Sequence, residues 1–214
     1  MTTHDRFARN DGKSTSCPAS SSLSFSPSPA SSCSARAPTS TPKALVAQVL
    51  LERAFEKTIT SGRETKPWSW ADTWPVARIE IERIHASAIV LAGSSGQALA
   101  FGPGHVEGTP GAGERGVAVY SAHRDTHFSF LKNVVIGDEI NVTRSDGQKF
   151  RYRADSTSVV RFDASGIDPL VGGHELVLST CWPFDALTPG PERYLLHATM
   201  IGPVPKDGSM PGSS

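Results

Sequence analysis

Several things are scarce in this 214-residue chain, and each scarcity narrows the field. Cysteine occurs three times, as Cys17, Cys33 and Cys181, and no two form a Cys-x-x-Cys pair. That argues against a zinc ribbon and a thioredoxin-type redox centre. Charge of one sign is missing: 21 Lys and Arg balance 21 Asp and Glu. A neutral chain offers no electrostatic reason to propose a nucleic-acid partner. The hydrophobic fraction of 38% is low for a wholly folded chain, which suggests that part of the sequence stays outside the core. Long apolar runs are absent too. The charge-free run Ala44 to Leu51 has eight residues, where a membrane-spanning helix needs about 20.

What is present divides the chain into four parts. Residues 14 to 43 hold 12 serines, 5 prolines and 3 threonines, 20 of 30 positions. Such a composition cannot bury enough apolar surface to offset its ordering entropy, so residues 1–43 are expected to be disordered. No apolar core of a usual signal peptide stands there. Residues 44–75 read as a helix, ALVAQVLLERAFEKTI, followed by a linker with Trp68, Trp70 and Trp74 that docks on the folded body. Residues 76–203 carry the main domain, and 204–214 a flexible tail.

From Val76 the pattern is β. VARIEIERI alternates near period two, Ser87 to Ala92 is a second short strand, and Gly93 to Gly116 is a long glycine-rich loop. GVAVYSAH, DEINVT, KFRYRADSTSVVRF (one strand or two), HELVLSTC and RYLLHATMIG follow, separated by turn signals such as Asp146-Gly147. Phe128 to Val134 has room for a turn or two of helix. An all-β fold of seven or eight strands follows, a closed barrel or a sandwich, with short helices and an N-terminal helix.

Cys181 is the chemically suggestive residue. A lone strand cysteine is usually a buried small hydrophobe. Here it ends its strand, Thr180 precedes it, and Pro183 stops the strand two positions later, which would present the thiol at the barrel rim. A nucleophilic cysteine needs an imidazole, because the thiolate is the reactive form. Of seven histidines, His123 alone ends a strand as Cys181 does. His123 and His127 also make H-x-x-x-H, but without the metalloprotease glutamate or an obvious third ligand, so no metal site is expected. A donor for the oxyanion, worth roughly 3 kcal/mol, is available from Arg193, which opens the next strand; Arg124 is the competitor. A surface ion pair with Asp125, Asp185 or Glu192 is the plain alternative for either arginine.

With His123, Cys181 and Arg193 in that order at strand ends, the sequence resembles a sortase, a cysteine transpeptidase. LSTC at 178–181 resembles the TLxTC signature, SAHRD at 121–125 the histidine segment, and PERYLLHA at 191–198 the arginine strand. KPWSWADTWPVARI, LAFGPGHVEGT, HRDTHFSFL and TCWPFDAL resemble the proteobacterial, Gram-negative subgroup, and the likeness spans about residues 44 to 202. Val177 departs from the first threonine of the signature and Ala122 from a common glycine. The family's membrane anchor ahead of the helix has the serine- and proline-rich segment in its place.

The resemblance implies a sortase-like barrel with Cys181 as nucleophile, His123 as acid and Arg193 as oxyanion donor. Thr180 and Ala122 would adjoin the substrate, and His105 and Glu107 would line the cleft, with plain loop packing as the other reading of that pair. It implies a substrate protein with an LPxTG-like C-terminal sorting signal, an amine acceptor from peptidoglycan or protein, and no metal or organic cofactor. It places the chain in the cell envelope, at the periplasmic face of the inner membrane and associated with it, although no transmembrane segment is visible. Two rival readings are an L,D-transpeptidase or peptidoglycan cysteine peptidase, and a non-catalytic surface β-barrel with Cys181 as an inert core thiol. The first keeps its histidine, cysteine and arginine within one motif, whereas here His123 lies 58 residues before Cys181 and Arg193 12 after it.

Overall fold

A computed structural model describes residues 42–170, 172–188 and 190–203. The disorder expected of the serine-rich segment up to Thr41, the tail 204–214, and Cys17 and Cys33 lie outside these residues. Helix α1 spans Pro42–Ser61, so it begins two residues before the boundary expected at 43/44. Proline suits a helix's first turn, where its missing N–H has no intrahelical partner to lose.

Eight strands close into a barrel: β1 (Pro75–Ile81), β2 (Ala86–Leu91), β3 (Gly104–His105), β4 (Gly116–Ala122), β5 (Glu139–Arg144), β6 (Lys149–Arg161), β7 (His174–Cys181) and β8 (Glu192–Pro203). Around the barrel their order is β1-β2-β3-β4-β7-β8-β6-β5. The expected all-β barrel is therefore observed. Alternation does most of the work. On β1, Ala77, Ile79 and Ile81 face inward and are at most 1% exposed, while Arg78 and Glu80 face out. Each wholly buried aliphatic side chain contributes roughly 1.5–3 kcal/mol, and the interior stacks Ile140, Val142, Tyr152, Leu176, Leu178 and Leu196 against them.

Three local expectations change. Glu82–Ile84 leaves the strand as a 3₁₀ turn and ends at His85 with φ 50. The long loop 93–116 contains a one-turn helix α2 (Gly96–Leu99), whose N-terminus Ser95 caps by accepting from the Ala98 N–H, and the two-residue β3. That strand closes the barrel between β2 and β4, and it needs glycine: a Cβ on Gly104 would lie 2.3 Å from the Gly93 carbonyl oxygen. KFRYRADSTSVVR is one strand, not two, with its register against β8 shifted between Ala154 and Ser156.

Helix α1 docks through Leu51 and Phe55, both wholly buried against Ile89, Leu91 and Ala98. Glu52 pairs with Arg78 of β1. The linker docks less completely than expected. Trp68 packs edge-on against Phe101, ring centres 4.8 Å apart, but Trp70 is 83% exposed. The turn through Gly62 carries the rest, with two bonds to Ala92: its N–H donates to the Trp74 carbonyl at 2.9 Å, and its carbonyl accepts from the Thr73 hydroxyl at 2.8 Å.

Candidate active site

The site follows from strand direction. β4 and β7 are parallel neighbours in register, Ala122 opposite Thr180. Their C-terminal ends therefore emerge at one mouth of the barrel, His123 one residue past β4 and Cys181 at the end of β7. β8 is antiparallel to β7 and starts at that same mouth, with Arg193 directly opposite Cys181. The three residues come to one mouth of the barrel because two strands end where a third begins.

Alternation then decides which way the side chains point. Leu176, Leu178 and Thr180 of β7 and Tyr194, Leu196 and Ala198 of β8 face the interior. Ser179, Cys181, Arg193 and Leu195 belong to the opposite, outer face. On β4, Tyr120 and Ala122 face inward, so Val119 and Ser121 join that outer face. The thiol of Cys181 is free and half-buried rather than sealed in the core. His123 is exposed.

A cleft of about 330 Å³ lies over this face, floored by Val119, Ser121, Ser179 and Leu195 and bounded by Arg193. The connection between β6 and β7 supplies one wall, with Phe162 and Ile167; the loop after β3 supplies the other, with Glu107 and Thr109. The Arg193 guanidinium sits 5.7 Å from the centre of the Phe162 ring and donates through Nη1 to the carbonyls of Gly190 (3.0 Å) and Glu192 (2.9 Å). Those bonds leave the other nitrogens of the guanidinium fork open to a substrate oxygen.

The remaining candidates divide. Glu107 is exposed and lines the cleft. His105 turns into its own loop, where Nε2 lies 3.0 Å from the Pro110 carbonyl and 3.1 Å from the Thr109 hydroxyl. Thr180 is 1% exposed, and its hydroxyl donates to the Ala122 carbonyl at 2.8 Å. Its side chain thus ties β7 to β4, and only its main chain adjoins the thiol. Ala122 is buried and serves as that acceptor. The competitor arginine, Arg124, is turned away from the cleft, its Nη2 donating to the Ala186 and Thr188 carbonyls. His127 is pulled below its ordinary pKa by burial, aided by repulsion from His123 and opposed by the Ala100 backbone. Among the described residues no group of three or more His, Cys, Asp or Glu could hold a metal ion.

Comparison with known proteins bears directly on this arrangement. The Sortase domain model matches residues 79–201, more than half of the chain and all three strand ends. The chain belongs to the sortase family. Sortases are cysteine transpeptidases that act at the cell envelope. A sortase D of Bacillus subtilis is 32% identical over 124 residues, 58% of this chain; the chain spans only 62% of that relative's length. Among solved structures, a Sortase D5 transpeptidase of Clostridium perfringens superposes with a TM-score of 0.59 over 74% of this chain and 99% of its own, at 24% identity, which speaks for the fold. Sortase C-1 of Actinomyces oris is 29% identical, with a TM-score of 0.52, over 61% of this chain and 75% of its own. These relatives come from Gram-positive bacteria, so the proteobacterial likeness of the motifs finds no support among them. No helix among the described residues is long and apolar enough to cross a membrane.

Sequence reasoning missed Phe162, Ile167, Ser121 and Ser179 of this sortase's cleft. Stepping back by two from Cys181 would have found Ser179. Phe162 and Ile167 lie in an irregular connection, where periodicity gives no signal.

Proposed function

We propose that this chain is a cysteine transpeptidase that cleaves an LPxTG-like sorting signal near the C-terminus of a substrate protein and passes the acyl group to an amine. The observation that carries the reading is the cross-strand pair of Cys181 and Arg193 on the outer face, with His123 closing the neighbouring parallel strand.

The chemistry divides among three residues. His123 as imidazolium favours the Cys181 thiolate. The thiolate attacks the carbonyl carbon of the scissile peptide bond, and the carbonyl electrons move onto oxygen. Arg193 donates to that oxyanion, a contribution of roughly 3 kcal/mol on the scale of single oxyanion donors. Collapse breaks the C–N bond, and the leaving nitrogen takes the proton from His123. The acceptor amine then attacks the thioester, His123 takes its proton, and the thiolate leaves; water in place of the amine would give hydrolysis. The cleft between Glu107 and Ile167 receives the acyl-side peptide.

Motif likeness favours the proteobacterial subgroup, and with it a periplasmic setting at the inner membrane. The acceptor is peptidoglycan or protein. Mass spectrometry after incubation with a panel of LPxTG-like peptides tests the assignment. An acyl adduct on Cys181 is the expected outcome, and an adduct on another residue, or none with any sorting peptide, would overturn it.

A further inference from the structure

Arg124 is an unusual place for a charge. It directly follows His123, is 8% exposed, and takes part in none of the ion pairs formed among the described residues. A guanidinium cannot shed its proton in a protein, and burying an uncompensated charge is unfavourable by several kcal/mol. The side chain is held instead by two peptide dipoles far away in sequence: Nη2 donates to the carbonyls of Ala186 at 2.6 Å and Thr188 at 3.0 Å.

Those carbonyls belong to the connection between β7 and β8, residues 182–191. Cys181 stands at its entrance and Arg193 just past its exit. The connection is pinched at its base by the Trp182 N–H donating to the Glu192 carbonyl at 3.1 Å. Above the base, Trp182, Phe184 and Tyr194 pack on one another with ring centres 5.1–5.9 Å apart. Beyond that trio the chain runs into solvent, and Leu187, between the two bonded carbonyls, is fully exposed. Among the described residues, the hydrogen bonds of Arg124 join the outer part of this connection to the end of β4.

Resting on the transpeptidase reading, we propose that Arg124 is a positioning residue. By bonding the β7–β8 connection from the position next to His123, it holds the imidazole at a set distance from the thiol and the guanidinium that flank that connection. Attraction between a thiolate and an imidazolium falls with separation, and a displacement of about 1 Å can cost about a hundredfold in rate. Arg124 acts through His123, Cys181 and Arg193, not on substrate.

The test reads Cys181 without needing the natural substrate. Iodoacetamide alkylation of the full chain is followed against pH at the Cys181 peptide by mass spectrometry, which separates it from Cys17 and Cys33, for the unaltered protein, His123→Ala, Arg124→Met and Arg124→Lys. The unaltered thiol should react at neutral pH through its pairing with His123. In Arg124→Met the neutral-pH rate should fall by about tenfold or more. Arg124→Lys, which keeps a charged donor for the same carbonyls, should recover part of the rate. A purely structural role would lower the melting temperature while leaving the alkylation profile in place. If Arg124→Met does not fold by near-UV circular dichroism, Arg124→Gln is read by the same criteria. An Arg124 variant whose profile superimposes on the unaltered protein's overturns the inference alone. Identical profiles for the unaltered protein and His123→Ala would overturn the transpeptidase reading, and this inference with it.

Discussion

The hydroxyl of Thr180 donates a 2.8 Å hydrogen bond to the carbonyl of Ala122, from the interior face of β7 to the end of β4. Both residues are buried, and they are partners in the parallel register. This bond sets the two strand ends level, and the residues that follow, Cys181 and His123, emerge side by side.

Cys181→Ala should abolish acyl-enzyme formation with sorting peptides, and Arg193→Ala should lower kcat/KM by about a hundredfold or more, as loss of a single oxyanion donor does. Both variants should retain the melting temperature within about 1 °C, because neither side chain lies in the barrel interior. Peptide cleavage followed by mass spectrometry decides; undiminished turnover by either variant contradicts its assigned role.

Ser179→Trp should fill the cleft floor while leaving the Cys181 thiol in place. Peptide KM should rise at least tenfold while iodoacetamide still labels Cys181 at the original rate. Unchanged peptide kinetics would show that substrate binds elsewhere.

His127 makes stability depend on pH. Its folded-state pKa is below the ordinary 6.5, chiefly because burial disfavours the charged ring. The unfolded chain then binds more protons in the window just below 6.5, so stability should decline as pH falls through it. Replacing His127 with Gln should flatten that slope in thermal melts recorded between pH 7.5 and 5. An identical slope in the variant would place its origin in another group.

Asp138, just before β5, and Arg83, in the 3₁₀ turn after β1, supply a second pH signature. The Asp138 carboxyl, 6% exposed, accepts from both Arg83 and the Val135 N–H, and is held below its ordinary value of 3.8, with the Arg83 bond as the main cause. Its stabilising contribution is complete well above 3.8 and is lost as pH falls below that value. Arg83→Ala should destabilise the fold by about 1–3 kcal/mol at neutral pH, since it strips a buried carboxylate of its partner. Urea unfolding at pH 7 and pH 3 measures this, and the difference between variant and parent should shrink at the lower pH.

Much of the architecture was legible in the residues themselves. Period-two alternation in VARIEIERI specified a strand and its buried face, the apolar and β-branched run in HELVLSTC specified another, and the placing of Cys181, His123 and Arg193 at strand ends pointed to a shared mouth before any coordinates. Local pattern had nothing to offer for β3, which has two residues and exists because the barrel must close, or for the 3₁₀ turn at Glu82–Ile84, where a bend interrupts the alternation. Chain direction around the barrel was likewise invisible: that β4 and β7 run parallel, with β8 returning beside them, depends on which strands find each other across tens of residues. Side-chain commitments were decided last, by packing. Thr180 and His105 look available for substrate in one dimension, yet a buried hydroxyl and a half-buried ring must satisfy their hydrogen bonds, and the nearest partners, Ala122 and Pro110, lie within the protein.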